Sequence, residues 1–211
     1  MVYSSRVHVA RRSRVRRILG PLAASLGVRF FDVFYGERRI DEVPPLVDAP
    51  VALEVRIASE DDVREIVAHL APDDGARAVA AYAAGDVCVV AKAEDAVAGF
   101  IWASLARVEL LGVPICTLPA RGAYVHLAHV FPGYRGKKVL QVLGRALHLE
   151  LRDRGCAFTC RLIDRDNAPS LIGTERGGVH YRWAPVVKLP VLPAFFLPPR
   201  PPALRATRCT R

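Results

Sequence analysis

An α/β domain is the fold class that the sequence predicts, and three observations carry it. Ala123 to Gly155 reads as a strand rich in β-branched and aromatic residues, then a short turn, then a long apolar-periodic helix ended by Arg152, Arg154 and Gly155. Two further strand-like runs, Asp86 to Lys92 and Ala96 to Ala106, are separated only by Ala93-Glu94-Asp95, a hairpin signal. With 52% hydrophobic residues in 211, the chain can bury one good core, which excludes a disordered protein.

The remaining elements follow in order. From Met1 to Arg29 there is no acidic residue, and the arginines and serines give a composition like that of a transit peptide. Yet Val15, Ile18, Leu19, Leu22, Ala23 and Leu26 recur at helical spacing, and Phe30 to Tyr35 follows as an aromatic strand-like run. The preferred reading is a basic amphipathic helix and an edge segment that pack on the domain. Nucleic-acid binding through the arginine face is disfavoured, because no nucleic-acid-binding motif accompanies it. Pro44, Pro45 and Pro50 read as a stiff linker, so residues 1–50 are assigned to an extension and residues 51–189 to the compact domain.

Within that domain Val51 to Ile57 alternates as a strand, and Ser59 with Asp62 forms a capping-box pattern before Val63, Ile66, Val67 and Leu70, which predicts a helix. A second short helix is expected over Ala76 to Ala84, and Leu110 to Leu118 extends the β-meander. Ala157 to Ile163 is a strand, Ala168 to Gly173 a short segment, Gly177-Gly178 a break, and Val179 to Leu189 a final strand. Prolines at 190, 193, 198, 199, 201 and 202 predict an extended, unpaired tail over residues 190–211.

The formal net charge of +9 favours anionic partners: nucleic acid, an anionic membrane surface, an acidic carrier protein or a phosphorylated cofactor. Cys88, Cys116, Cys156, Cys160 and Cys209 are odd in number, without a CxxC pair or a secretory signal, and read as reduced thiols of a cytoplasmic protein with no metal site. Cys156 and Cys160 are expected on one face of a strand, buried. No apolar run is long enough to span a bilayer.

The chemistry centres on Tyr134-Arg135-Gly136-Lys137-Lys138. A strand delivering a glycine-bearing cationic turn to a helix N-terminus can hold an anion, typically a phosphate, on backbone N–H groups. With its flanks, His129-Val-Phe-Pro-Gly-Tyr-Arg-Gly-Lys-Lys138 resembles the end-of-strand signature of the GNAT superfamily of acyl-CoA-dependent N-acyltransferases. Asn167-Ala-Pro-Ser170 followed by Gly178-Val179 resembles a second segment of that family, and the order of elements from Val51 to Leu189 is similar too.

The resemblance implies a mixed, mostly antiparallel central sheet flanked by helices. It also implies transfer of an acetyl or longer acyl group from acyl-CoA to an amine, small molecule or peptide. The coenzyme A pyrophosphate would rest on the turn, with Arg135, Gly136, Lys137, Lys138, Val139 and Leu140 around it, and the pantetheine along Ala128 and Val130. Asn167 and Ser170 would lie beside the cofactor. Two departures stand out: Lys138 and Leu140 occupy positions where the family keeps small residues, and Thr174 replaces a tyrosine that protonates the leaving thiolate. Tyr181 and Tyr134 are the phenols nearest in sequence. Asn167 has the alternative role of capping the helix that begins at Ala168.

Alternation along Ala123 to Phe131 puts Tyr124, His126, Ala128 and Val130 on one face and Val125, Leu127, His129 and Phe131 on the other. The resemblance implies that the first face looks into the acyl and amine site. Imidazole suits proton abstraction at neutral pH, so His126 is the candidate base, Tyr124 a positioning or relay group and Tyr181 the candidate acid. A satisfied core histidine is the competing reading for both His126 and His129. The alternatives to an active transferase with a CoA thioester are an acyl carrier protein as donor, and a binding protein with degraded catalysis. A homodimer is compatible with the sequence.

Overall fold

The computed structural model describes residues 27–176 and 178–190, with 192, 194–197, 201 and 204. The helix expected around Val15 to Leu26 and most of the terminal arginines lie outside the described residues. In chain order the strands are β1 (Arg29–Phe31), β2 (Val33–Arg39), β3 (Glu54–Ile57), β4 (Val87–Ala93), β5 (Ala96–Ser104), β6 (Arg107–Leu110), β7 (Val113–Thr117), β8 (Gly122–Val130), β9 (Phe158–Asp164), β10 (His180–Trp183), β11 (Val186–Lys188) and β12 (Phe195–Phe196). The helices are α1 (Glu60–Ala68), α2 (Pro72–Ala83), α3 (Val139–Asp153) and α4 (Ala168–Arg176).

Seven strands form the main sheet in the order β10-β2-β9-β8-β5-β4-β3. Every pairing in it is antiparallel except β8 with β9, so the sheet is mixed and mostly antiparallel, as expected. The parallel pair is short: only Gly122 to Tyr124 face Phe158 to Cys160, and beyond them the two strands are not paired.

The helices form where local chemistry dictates. Ser59 caps α1, its Oγ accepting from the Asp62 amide at 3.3 Å while Asp62 Oδ2 accepts from the Ser59 amide at 2.8 Å. Helix α2 begins at Pro72, four residues before the expected Ala76. Pro72 at the first turn, with Asp73 and Asp74 facing the helix dipole, is the start signal. Helix α3 buries Val139, Leu143, Leu147 and Leu151 along one stripe, and each such burial contributes about 1.5–3 kcal/mol. Gly155 at φ +80° ends it.

Three apolar clusters result. One, with Val33, Tyr35, Cys160 and Leu162, lies under the β6–β7 hairpin. A second joins Ile101, Ala103 and Val125 to the stripe of α3, and a third packs α1 and α2 on Val90, Phe100 and Trp102.

Several expectations are corrected. The segment around Phe34 is not at an edge: β2 is an internal strand, paired along seven residues with β9 and along four with β10, so the sheet reaches into the region assigned to the extension. The final strand is two. After Trp183 the chain leaves the main sheet at Ala184 and Pro185, and β11 pairs instead with β1 and β12. The proline-rich tail therefore does pair, through Phe195 and Phe196, which lie between its prolines. The Leu110 to Leu118 run is the second arm of a separate hairpin, β6–β7, turning at Leu111 and Gly112, both at positive φ. Cys156 precedes β9 and enters the second cluster, whereas Cys160 enters the first, so the two do not share a face, although both are buried.

Candidate active site

Where β8 and β9 part, a cleft of about 290 Å³ opens between them. Strand β8 contributes Tyr124, His126 and Ala128, β9 contributes Thr159, Arg161 and Asp164, and α3 and α4 roof it with Leu140, His148 and Ser170, beside Asn167 just before α4. Arg77 of α2, Glu109 and Leu110 at the end of β6, and Leu111 of the turn that follows reach it from the other side of the sheet. Its lining holds Arg38, Arg77, Arg145, Arg161 and Arg176 against Glu109 and Asp164, an excess of positive charge that suits an anionic ligand.

The strand does not alternate evenly. His126 stands opposite Trp102 and His129 opposite Phe100, so three steps on β8 match two on β5, and Leu127 takes φ +41°. This bulge corrects the expected alternation. His129 comes onto the face of His126, while Val130 crosses to the opposite face and packs with the α3 cluster. His129 is then an aromatic packing residue, 5.8 Å from the Phe100 ring and 4.9 Å from that of Phe131. Burial, aided by Arg135, lowers its pKa, so it stays neutral.

His126 is held differently. Its Nε2 lies 3.1 Å from Asp86 Oδ2, and its ring stacks on Tyr124 with centroids 5.7 Å apart and planes 9° apart. Since a carboxylate only accepts, Nε2 carries the hydrogen and donates, which leaves Nδ1 as the basic nitrogen. The Asp86 side chain is 5% exposed and that of His126 16%. Burial raises the Tyr124 pKa well above the ordinary phenol value, so its hydroxyl keeps its proton.

The turn after β8 is cationic and open. Gly136 and Lys138 both adopt positive φ, +76° and +62°, and α3 begins with no side-chain cap. Among the described residues, the amides of Gly136, Lys138, Val139 and Leu140 donate to no protein carbonyl, leaving a run of N–H donors at a helix start. Arg135 Nε donates to Val130 O at 3.2 Å, and Lys137 Nζ lies 5.4 Å from the Tyr134 ring centre. The Leu140 side chain turns inward, its Cδ2 3.3 Å from where a Cβ on Gly173 would stand. That inward turn directs it away from the exposed amides.

Tyr124, His126, Ala128, Leu140, Asn167 and Ser170 thus line one cleft, whereas Arg135 to Val139 stand outside its lining, at its mouth, with Val139 buried in the core. Asn167 Oδ1 accepts from the Ser170 amide at 3.2 Å and so also caps α4. Thr174 is buried and donates to Ser170 O at 2.7 Å. Tyr181, a candidate acid, is not in the cleft lining: its ring lies over Gly36 of β2, its hydroxyl is buried, and burial raises its pKa. Sequence reasoning missed Asp86, Arg38 and Arg161. An arginine inside the apolar run Phe158-Thr-Cys-Arg-Leu-Ile163 was the one readable signal.

No protein-family model matches the sequence, and no curated protein matches it. Solved structures do. A Drosophila protein aligns at TM-score 0.58 and 14% identity, over 86% of this chain and 59% of that one. A tandem GNAT protein from the clavulanic acid biosynthesis pathway aligns at 0.53 and 17%, over 81% and 58%. A GCN5-related N-acetyltransferase from Sphaerobacter thermophilus aligns at 0.54 and 14%, over 79% and 54%. The chain spans less than two thirds of each of these structures. It has the fold of the GNAT N-acetyltransferases.

Proposed function

We propose that the protein is an N-acyltransferase that moves an acyl group from an acyl-CoA to an amine. The observation that carries this reading is the opening between β8 and β9, with unpaired amides and cationic side chains at its mouth and the His126–Asp86 pair at its inner end. In this reading the pyrophosphate rests on the amides of Gly136, Lys138, Val139 and Leu140 with Arg135, Lys137 and Lys138 nearby, and the pantetheine follows the β8 backbone past Ala128 toward Tyr124.

His126 Nδ1 takes a proton from the attacking amine, and Asp86 stabilises the imidazolium that forms. The amine nitrogen bonds to the thioester carbon and the carbon–sulfur bond breaks. The thiolate collects a proton from water or from His126, since the Tyr181 hydroxyl is buried and outside the cleft lining and Thr174 donates to Ser170. Products are an amide and the free thiol.

Titration with acetyl-CoA tests the reading. Binding below millimolar concentration, weakened about tenfold or more by Arg135→Ala, is expected, charge-assisted phosphate contacts contributing roughly 1.5–3 kcal/mol. Absence of binding, with no effect of that substitution, refutes it. The second reading is a binding protein with lost turnover, favoured by the missing phenol at Thr174; cofactor binding without thiol release across a broad amine panel would support it. Salt-sensitive complex formation with an acyl carrier protein would instead identify a carrier-bound donor.

A further inference from the structure

At the inner end of the cleft, beneath α3, a half-buried arginine faces the cavity without a carboxylate. Arg161 lies on β9 between Cys160 and Leu162, whose side chains belong to the opposite core, so its own side chain projects to the α3 side. Gly36 stands across from it on β2, and the Tyr181 ring covers that glycine, since a Cβ there would come within 2.7 Å of Tyr181 Cε1. Arg38, two residues along β2 on the same face, is also in the cleft lining, as are Thr159 and His148.

Among the described residues Arg161 makes no hydrogen bond or ion pair, so no carboxylate there neutralises it. The two carboxylates that line the cleft are engaged elsewhere: Glu109 with Arg107 at 3.2 Å, and Asp164 with the Asp166 amide at 2.9 Å. Glu42 acts on Arg38 from an exposed position. His148 adds no counter-charge: its Nε2 donates to Ile40 O at 2.8 Å, and burial together with Arg38, Arg152 and Arg161 keeps its ring neutral. A guanidinium partly withdrawn from water, with no counter-charge beside it, favours an anionic ligand that enters the cleft.

The walls leading to Arg161 are apolar, with Leu147, Leu151 and Ile163. Resting on the acyl-CoA reading, which sets the phosphates at the mouth and the thioester inside, we infer that Arg161, assisted by Arg38, receives a carboxylate at the far end of the transferred acyl group. The preferred donors are then thioesters of short dicarboxylic acids. The amine approaches from the other side of the split sheet, past His126, Arg77 and Glu109.

Calorimetric titration of the full chain with acetyl-CoA, butyryl-CoA and succinyl-CoA tests this. The last two have acyl chains of equal carbon number and differ in the carboxylate. Succinyl-CoA is expected to bind at least about tenfold more tightly than butyryl-CoA, the scale of one charge-assisted pair. In Arg161→Gln that ratio should fall to within about threefold, the expectation for a neutral partner. Butyryl-CoA binding as tightly as succinyl-CoA to the unmodified protein overturns the inference while leaving the acyl-CoA reading intact. So does a preference that survives in folded Arg161→Gln. Should that variant not fold, the comparison on the unmodified protein decides. Failure of all three thioesters to bind overturns the acyl-CoA reading and this inference with it.

Discussion

Replacing Asp86 by asparagine tests the proposed base most directly, because it changes one charge in a nearly closed pair. In the protein His126 Nε2 donates to Asp86 Oδ2 across 3.1 Å, with both side chains mostly buried. A charge-assisted hydrogen bond contributes roughly 1.5–3 kcal/mol and a neutral one about 0.5–1.5 kcal/mol, so loss of the charge removes about 1–1.5 kcal/mol of support for the imidazolium. At about 1.36 kcal/mol per factor of ten, kcat falls about tenfold if the introduced amide presents its oxygen to His126. If the amide nitrogen faces the imidazole instead, Nε2 must accept, the hydrogen moves to Nδ1, and the fall approaches the roughly 10²–10⁴ of general-base catalysis. The assay is thiol release from the acyl-CoA with the best acceptor of an amine panel, run beside His126→Gln. Acyl-CoA binding is expected to hold, since the pair lies away from the phosphate turn. An Asp86→Asn enzyme within twofold of the unmodified one, while His126→Gln loses a hundredfold or more, refutes the orienting role; unchanged rates in both refute His126 as base.

Two predictions concern stability. Burial pushes the Asp62 carboxyl up, but the Arg56 guanidinium and the Ser59 amide and hydroxyl outweigh it and hold its pKa below the ordinary value. Such a depressed group stabilises the fold above its unfolded pKa, near 4, and that contribution is lost as pH falls through the folded value. Asp62→Ala should therefore lower stability by about 2–3 kcal/mol at pH 7, a cap plus charge-assisted bonds, with the difference shrinking below pH 4 in urea titrations. Gly99 faces the bulged part of β8, where a Cβ would come 2.7 Å from His129 O and 3.3 Å from Val130 Cα. Gly99→Ala is expected to cost about 1–3 kcal/mol, as overpacking does, and an unchanged thermal midpoint would show that β8 gives way freely there.

Much of the fold was legible because short-range chemistry encodes it. The capping pair Ser59 and Asp62, the Glu94–Asp95 hairpin turn and the end of α3 at Gly155 each depend on residues within four positions of one another. The misreadings have other causes. Insertion of β2 between β9 and β10 depends on partners more than a hundred residues distant, which periodicity cannot report. The bulge at Leu127 is invisible for another reason: a leucine gives no local warning of positive φ, so even alternation placed Val130 beside His126 and His129 opposite it. His126 and Tyr124 do face the cleft as the alternation expected, because both precede the bulge. Asp86 was not, since its link to His126 spans forty positions and its own surroundings read as a strand start.

The inserted strand also changes what the N-terminal region contributes to the site. Gly36 of β2, having no side chain, is what allows Tyr181 to lie over the sheet beside Arg161, and Arg38 brings a second guanidinium to the same side. The chain that follows crosses α3, where His148 donates to Ile40 O and Arg145 to Pro44 O, while Pro44, Pro45 and Val47 complete the cleft wall. Residues 36–47 therefore hold α3 from outside as Leu143, Leu147 and Leu151 hold it from within. Since the proposed phosphate turn lies at the N-terminus of α3, this segment, read from sequence as part of the extension and its linker, would support both ends of the cleft: the unpaired amides at its mouth and the cationic pocket at its inner end.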